Sequence, residues 1–598
     1  MTLRFPPLLS VLLSLLLIGP AVAERPNAAR IMSDQTIAFL RMADTQDFIE
    51  KMEQTSVGKA ANDPQMKPFV NGIWQTLKDA AADAEERSGL KLEELLAIPK
   101  GELAASVVAM QEGNPGVLIF CELGEDRRVV NRVIEIVENL ATNNGALIEN
   151  EKYKEIEITH IMGNNGPLAI CIHDGVLLLS NRIEAVEDVL ENWSGKREDS
   201  LASDDRFSTI VSASRGTKDE PAQLLWYVNP IDGLRALTRN QPGGSYVMGF
   251  LPVLGLDGVK AVGGSQILAT EEFDSINHLH VMLERPRTGV IEMIAMKNAS
   301  TEPERWVPED VTNYMTSNWE VEKTYSALEK LYDSILGDGK LAEDIDRRIN
   351  QRANIDFKKE IIDNLEGKFT LVQWYEPPAR INSQATFVAA KVKDRAAMQK
   401  TLDSIVEALP RLKNVVEKRN FGDATFYQAN VGNDVIPDDV PEDRRRRMEA
   451  RRELRPEPCF GLVGDFLFFA DRPGIVEHIT LTYGGDAPRL ADDLSFKLVL
   501  NKLLAHAGER KVAMVSFARP EESLRMVYEL VQADTTRDFI GRRAEQNDFF
   551  KSLQGNLDAN PLPDFGVISK YLAPSGSIMI DDETGLHLIG FNLKRDSE

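Results

Sequence analysis

HDGVLLLSNRIEAVEDVLENW (His173–Trp193) and, much later in the chain, VGDFLFFADRPGIVEHITLTY (Val463–Tyr483) read the same way. Each begins at a turn containing Gly, runs through a short apolar strand, and then changes to a helical period. In the first, Asp174-Gly175 is the tight turn and a helix starts near Arg182. The surroundings repeat too. DRRVVNRVIEIVENLA (Asp126–Ala141) and DRAAMQKTLDSIVEALP (Asp394–Pro410) lie upstream. Downstream, DDRFSTIV then LLWYVNPIDGLRAL match DDLSFKLVL then AMVSFARPEESLRMV. Matching order and spacing argue for a tandem duplication.

Working outward, GELAASVVAM and PGVLIFCEL form a hairpin through QEGNPG, and YKEIEITHI, GPLAICIHD and GVLLLSN form a meander. VGGSQILAT and INHLHVML close the first module through an acidic EEFDS turn. The second copy answers with GKFTLVQWYE and INSQATFVAAKV, then DATFYQANV, PCFGLVG and DFLFFAD, then SGSIMID and GLHLIGFNL. The strands come in consecutive hairpins, which indicates an α+β fold with antiparallel sheets packed with helices. VLIFCEL, GVLLLS and FLFFA are apolar at nearly every position, so they are expected to be buried on both faces or to line a groove. The divisions are residues 1–23 as a signal peptide, 24–297 as the first module, 298–309 (NASTEPERWVPE) as a polar linker, and 310–598 as the second module with an insertion at 431–457.

The N-terminus carries Arg4, an apolar run from Leu8 to Gly19, and an Ala21-Val22-Ala23 cleavage site, which is the pattern of a secretory signal. Export to the periplasm or beyond is expected. YVMGFLPVLGL (Tyr246–Leu256) is the most apolar later stretch, but it is short and broken by Pro252, so no transmembrane segment is expected in the mature chain. The 598 residues have a net charge of −24, and losing Arg4 leaves 68 Lys and Arg against 93 Asp and Glu. Such a field repels phosphate backbones and anionic membrane surfaces and excludes nucleic acid as a partner. Cys121, Cys171 and Cys459 are the three cysteines. A Cys121–Cys171 disulfide leaves Cys459 over; the absence of metal or redox spacing favours three buried thiols.

The opening DQTIAFLRMADTQDFIEKMEQTSVGKAANDPQMKPFVNGIW (Asp34–Trp74) resembles a family of large exported bacterial proteins without an assigned activity. Ile37, Ala38, Phe39, Asp44, Gly58, Asp63, Pro64, Pro68 and Phe69 carry the resemblance. It implies a duplicated, strand-rich layout. It transfers no catalytic residue, and residues 318–365 of the second module lack the DPxxxPF element.

No GxSxG, HExxH, P-loop, GxGxxG or CxxC pattern occurs, so no catalytic residue and no cofactor is assigned. Gly243-Gly244, Gly263-Gly264 and Gly484-Gly485 read as turns. His278 and His280 share one strand face, which could bring two imidazoles to a metal. A half-exposed hairpin face is the simpler reading, because the equivalent segment carries only His587. Glu271, Glu272 and Asp274 match Asp581, Asp582 and Glu583 in equivalent hairpin turns; their spacing is no calcium loop. The insertion holds Arg444, Arg445, Arg446, Arg447, Arg451 and Arg452, a candidate surface for an acidic partner, although seven Arg face seven Asp or Glu from Asp438 to Glu457. These residues indicate an exported, non-catalytic binding or structural protein with an envelope protein as partner. The alternatives are a carrier of an apolar ligand such as a lipid, and a hydrolase of unfamiliar type.

Overall fold

The structure is a computed structural model that describes residues 25–595, apart from 126, 165, 217–219, 299, 377–382, 430–439, 442–444, 446–456 and 546. The signal segment and most of the insertion therefore lie outside the described residues.

The fold is α+β and antiparallel throughout its sheet. The first half supplies β1 (Thr36–Met42), β2 (Pro99–Val108), β3 (Gly116–Leu123), β4 (Leu147–Tyr153), β5 (Ile156–Gly163), β6 (Gly166–His173), β7 (Val176–Ser180), β8 (Leu224–Val228), β9 (Val259–Leu268) and β10 (Phe273–Leu283). A short β11 (Met296–Lys297) leads into β12 (Asn313–Trp319), β13 (Leu365–Tyr375), β14 (Gln384–Val392), β15 (Val416–Phe421), β16 (Ala424–Ala429), β17 (Cys459–Val463), β18 (Phe466–Ala470), β19 (Val512–Ala518), β20 (Ser575–Asp581) and β21 (Gly585–Leu593).

Hydrogen bonding orders the first half as β4-β5-β6-β7-β3-β2-β1-β8-β9-β10. The second half pairs in the corresponding order, β15-β16-β17-β18-β14-β13-β12-β19-β20-β21. The two closing strands then pair with each other, β10 against β21, so one sheet runs through both halves.

Two of the strands that go unread in the sequence lie at the edges of the sheet. LIENEKY (β4) and VEKRNF (β15) are the outer strands of the sheet, and both are largely exposed and charged. Charge on an edge strand blocks pairing with another chain, and it also erases the apolar alternation by which a strand is recognised.

Helices cover both faces. On one face of the first half, Leu118, Phe120, Cys171 and Leu178 pack against Val186 and Val189 of the helix Ile183–Glu191 and Phe207 and Ile210 of Asp205–Ala213. On the other, the helix Arg128–Asn143 covers Cys121, Leu123, Ile170 and Leu177. Cys121 and Cys171 thus sit on opposite faces of the sheet. All three thiols are free and buried.

The doubly apolar strands are not buried throughout. Val117 and Ile119 of β3 remain exposed, as do Val388 of β14 and Phe469 of β18. Val388 and Phe469 are direct cross-strand partners. Gly263-Gly264 is not a turn but the interior of β9. A Cβ on Gly264 would lie 1.9 Å from the His278 carbonyl oxygen, and one on Gly263 2.6 Å from that of Trp226. The described stretch 300–309 is anchored. Trp306 and Val307 are fully buried, and Trp306 packs its ring against Phe387 and Phe466.

The DPxxxPF element ties the halves together. Asp63 accepts hydrogen bonds from Lys570 Nζ at 2.6 Å and Tyr571 Oη at 2.8 Å. Phe69 packs in a cluster with Tyr528, Phe565 and Ile568. Pro68 opens the helix Lys67–Ser88, where its fixed φ suits the first turn.

Candidate functional site

A cleft of about 420 Å³ opens at one end of the first half, beside the turn between β2 and β3. Met32, Val108, Met110, Leu118 and Val189 form its apolar part, and Gln35, Gln111, Arg182, Glu184 and Asp188 its polar part. Met32 is placed by the buried turn Ala28–Ile31 before it, and Arg182 and Asp188 by the start and middle of the helix Ile183–Glu191. The charged groups are engaged with one another. Arg182 lies 3.4 Å from Glu184 and donates to the Glu112 carbonyl at 3.2 Å. Asp188 pairs with Arg197 at 2.7 Å. A second recess of about 140 Å³ adjoins it, sharing Gln35 and Ala109. There Arg206 bridges Asp204 and Asp232 at 2.7 and 2.8 Å. Arg239 donates to the carbonyls of Met110 and Gln111 at 2.8 and 3.0 Å, holding the turn that forms one wall. None of these residues stood out in the sequence, because each is an ordinary charged or apolar residue and only the fold gathers them.

The histidines meet elsewhere. His278, His280 and His587 converge where β10 pairs with β21, His280 directly opposite His587. His278 Nδ1 lies 3.2 Å from His587 Nε2, and His280 Nε2 lies 3.2 Å from the Thr584 hydroxyl. This face is more buried than expected: His280 is 0% and His587 2% exposed, while His278 is partly exposed. The expectation failed because it set β21 beside β10 as an equivalent, not as its partner. Burial, reinforced by His506 and Arg510, lowers the His278 pKa to about 4. Burial, with His278, His280 and Arg510 adding to it, lowers that of His587 to about 3. All these effects favour neutral rings. Among the described residues, no group of three or more His, Cys, Asp or Glu is placed to hold a metal ion.

The acidic turns are structural. Asp274 accepts from the Ser56 amide and hydroxyl at 2.6 and 2.9 Å. Asp581 binds Arg285 and Arg287, and Asp582 accepts from the amides of Thr584 and Gly585. Of the insertion arginines, Arg445 is described, its amide donating to the Pro441 carbonyl at 2.8 Å. Arg444, Arg446, Arg447, Arg451 and Arg452 lie outside the described residues. Among those described, no helix is long and apolar enough to cross a membrane.

Comparison with protein-family models, curated proteins and solved structures finds no match to this chain.

Proposed function

We propose that this chain is an exported, non-catalytic binding protein of the cell envelope that receives its partner at the cleft between the β2–β3 turn and the helix Ile183–Glu191. The observation that carries this reading is the cleft's division of labour. Ala109 and Met110 leave apolar surface open to a visitor over the buried Met32, Leu118 and Val189, while Arg182, Glu184 and Asp188 lie in ion pairs within the protein. A catalytic site needs a base, acid or nucleophile free to exchange protons or bonds with a substrate. A recognition site needs apolar area with a few fixed polar groups around it. Export rests on the apolar run Leu8–Gly19 and the small residues before Glu24.

A second reading is supported by the volume alone. About 420 Å³ falls in the range that holds a small apolar ligand. Native mass spectrometry of the chain purified without detergent, before and after organic extraction, separates the two. A clean protein mass, together with capture of an envelope protein that Ala109→Trp abolishes, supports the partner reading. A discrete small mass released by extraction replaces it with carriage. Turnover of any added ester, amide or glycoside that is lost in Arg182→Ala would overturn both.

A further inference from the structure

The helix Gly244–Leu254, sequence GSYVMGFLPVL, has no charged residue and only one strongly polar one, Ser245. A helix apolar all round belongs in a core or in lipid. This one is in neither. Of its eleven residues only Gly244 and Leu251 are buried. Tyr246 is 77% exposed, Phe250 57%, Val253 46% and Val247 44%. Gly249 faces open space, with nothing within 4 Å of a Cβ built on it. At about 100° per residue, the exposed positions from Pro252 round to Val247 cover about 220° of the circumference. The preceding helix Pro230–Thr238 packs beside it and adds Leu237, 65% exposed.

We propose that this helix docks into one leaflet of a phospholipid bilayer, and the inference stands apart from the cleft and its partner. The width of the exposed arc favours lipid over a protein groove. A groove on a partner covers an apolar stripe of roughly 100°. Here Val253, Tyr246, Phe250 and Val247 span about 120°, and the uncharged Pro252, Ser245 and Gly249 extend the exposed arc to about 220°, which a medium that wraps the helix satisfies. The aromatic pair Tyr246 and Phe250, one turn apart, suits the boundary between headgroups and acyl chains. Local charge agrees. From Gly233 to Leu256 there is no Asp or Glu, although the chain has 93, and the two charges present are Arg235 and Arg239. Both are exposed, Arg235 paired with Asp232 and Arg239 holding the carbonyls of Met110 and Gln111. Asp232 offsets Arg235, so Arg239 is the positive group near the apolar helix that lipid phosphates would meet, against the repulsion of the acidic whole. Eleven residues reach only about 16 Å, half a hydrocarbon core, so the helix lies within a leaflet and does not cross it.

The test uses the chain without residues 1–23, so that the apolar run Leu8–Gly19 makes no contribution. Phe250→Cys carries an environment-sensitive fluorophore. The native thiols are 5%, 2% and 1% exposed and do not compete for it. Leu494→Cys, at an exposed site on another helix, is the control. Vesicles are phosphatidylethanolamine with a minority of phosphatidylglycerol, with and without spin-labelled acyl chains. The expected result is a severalfold rise in emission at position 250, quenched by the spin label, with no change at 494. Tyr246→Ser with Phe250→Ser should weaken vesicle flotation of the unlabelled chain at least about tenfold. Emission at 250 that stays at its aqueous value with vesicles overturns the proposal. So does a rise that follows protein concentration without lipid, which would assign the helix to a second copy of the chain.

Discussion

Lowering the pH from 7.5 to 5.5 should loosen the seam between β10 and β21 before it affects the rest of the sheet. His278 and His587 are neutral in the fold and lie 3.2 Å apart through their ring nitrogens. One ring must donate and the other accept, so the contact fails when both are charged. Their folded pKa values, about 4 and about 3, lie below the unfolded value of 6.5, so the open state binds protons first. Their stabilisation is fully present above pH 6.5 and is lost as pH falls through that value toward 4. At pH 5.5 the loss is on the order of 1 kcal/mol for each ring, or roughly 3 kcal/mol for the pair. His280, its pKa also lowered by burial, moves in the same direction. Arg510, 3.5 Å from His587, adds to the penalty for a charged ring, while Asp582 opposes it at His280. A chain of this size does not unfold in one step, so the readout must be local. Hydrogen exchange of the amides at 276–281 and 586–591, corrected for intrinsic rate, should show opening about 100-fold more frequent at pH 5.5. The double variant His278→Leu, His587→Phe should reduce that dependence to what His280 alone contributes. Equal protection at both pH values in the native chain, or an undiminished loss in the double variant, would refute the reasoning.

Four further outcomes follow from packing. Gly264→Ala places a methyl 1.9 Å from a carbonyl oxygen inside β9, so it should cost more than about 3 kcal/mol and lower the melting temperature and soluble yield. Gly249→Ala, in open space on an exposed helix, should be neutral or stabilising by up to about 1 kcal/mol. Burial pushes the thiol pKa values to about 11 for Cys121 and Cys171 and to about 12 for Cys459, so a thiol reagent at pH 8 should titrate all three only after denaturation. Buried Glu102 accepts from Arg41 at 2.5 Å, from Arg25 at 3.2 Å and from the Ala28 amide at 2.9 Å. Glu102→Ala should therefore cost roughly 3–5 kcal/mol and speed proteolysis within residues 25–33.

Much of the architecture was legible because strands and helices each carry a clean period of their own. The hairpins β2–β3, β9–β10 and β20–β21 fall where Gly and acidic turns punctuate apolar runs. Asp44 caps the helix Thr45–Gln54 by accepting from the amides of Gln46 and Asp47, as its position before that helix implies. What escaped depended on contacts between distant segments. Nothing local in LIENEKY announces an edge strand. Nothing in INHLHVML states that GLHLIGFNL will lie beside it, so the three histidines could not be seen to meet. The exposed apolar positions Val117 and Ile119 were hidden for the same reason: a strand does not record which of its faces a helix will cover. The cleft draws on residues from Met32 to Val189, and no motif spans that distance. YVMGFLPVLGL stood out as the most apolar later stretch, but only the fold leaves it uncovered.

Site-specific photo-crosslinking from Gln111, on the cleft wall, tests the binding reading most directly in the cells that make the protein. The account predicts one discrete adduct, formed at the cell envelope, that disappears when Ala109→Trp fills the space between the cleft and its adjoining recess. An adduct that persists at full yield in Ala109→Trp, or none from Gln111 while a crosslinker at a distant surface captures a partner, would contradict it.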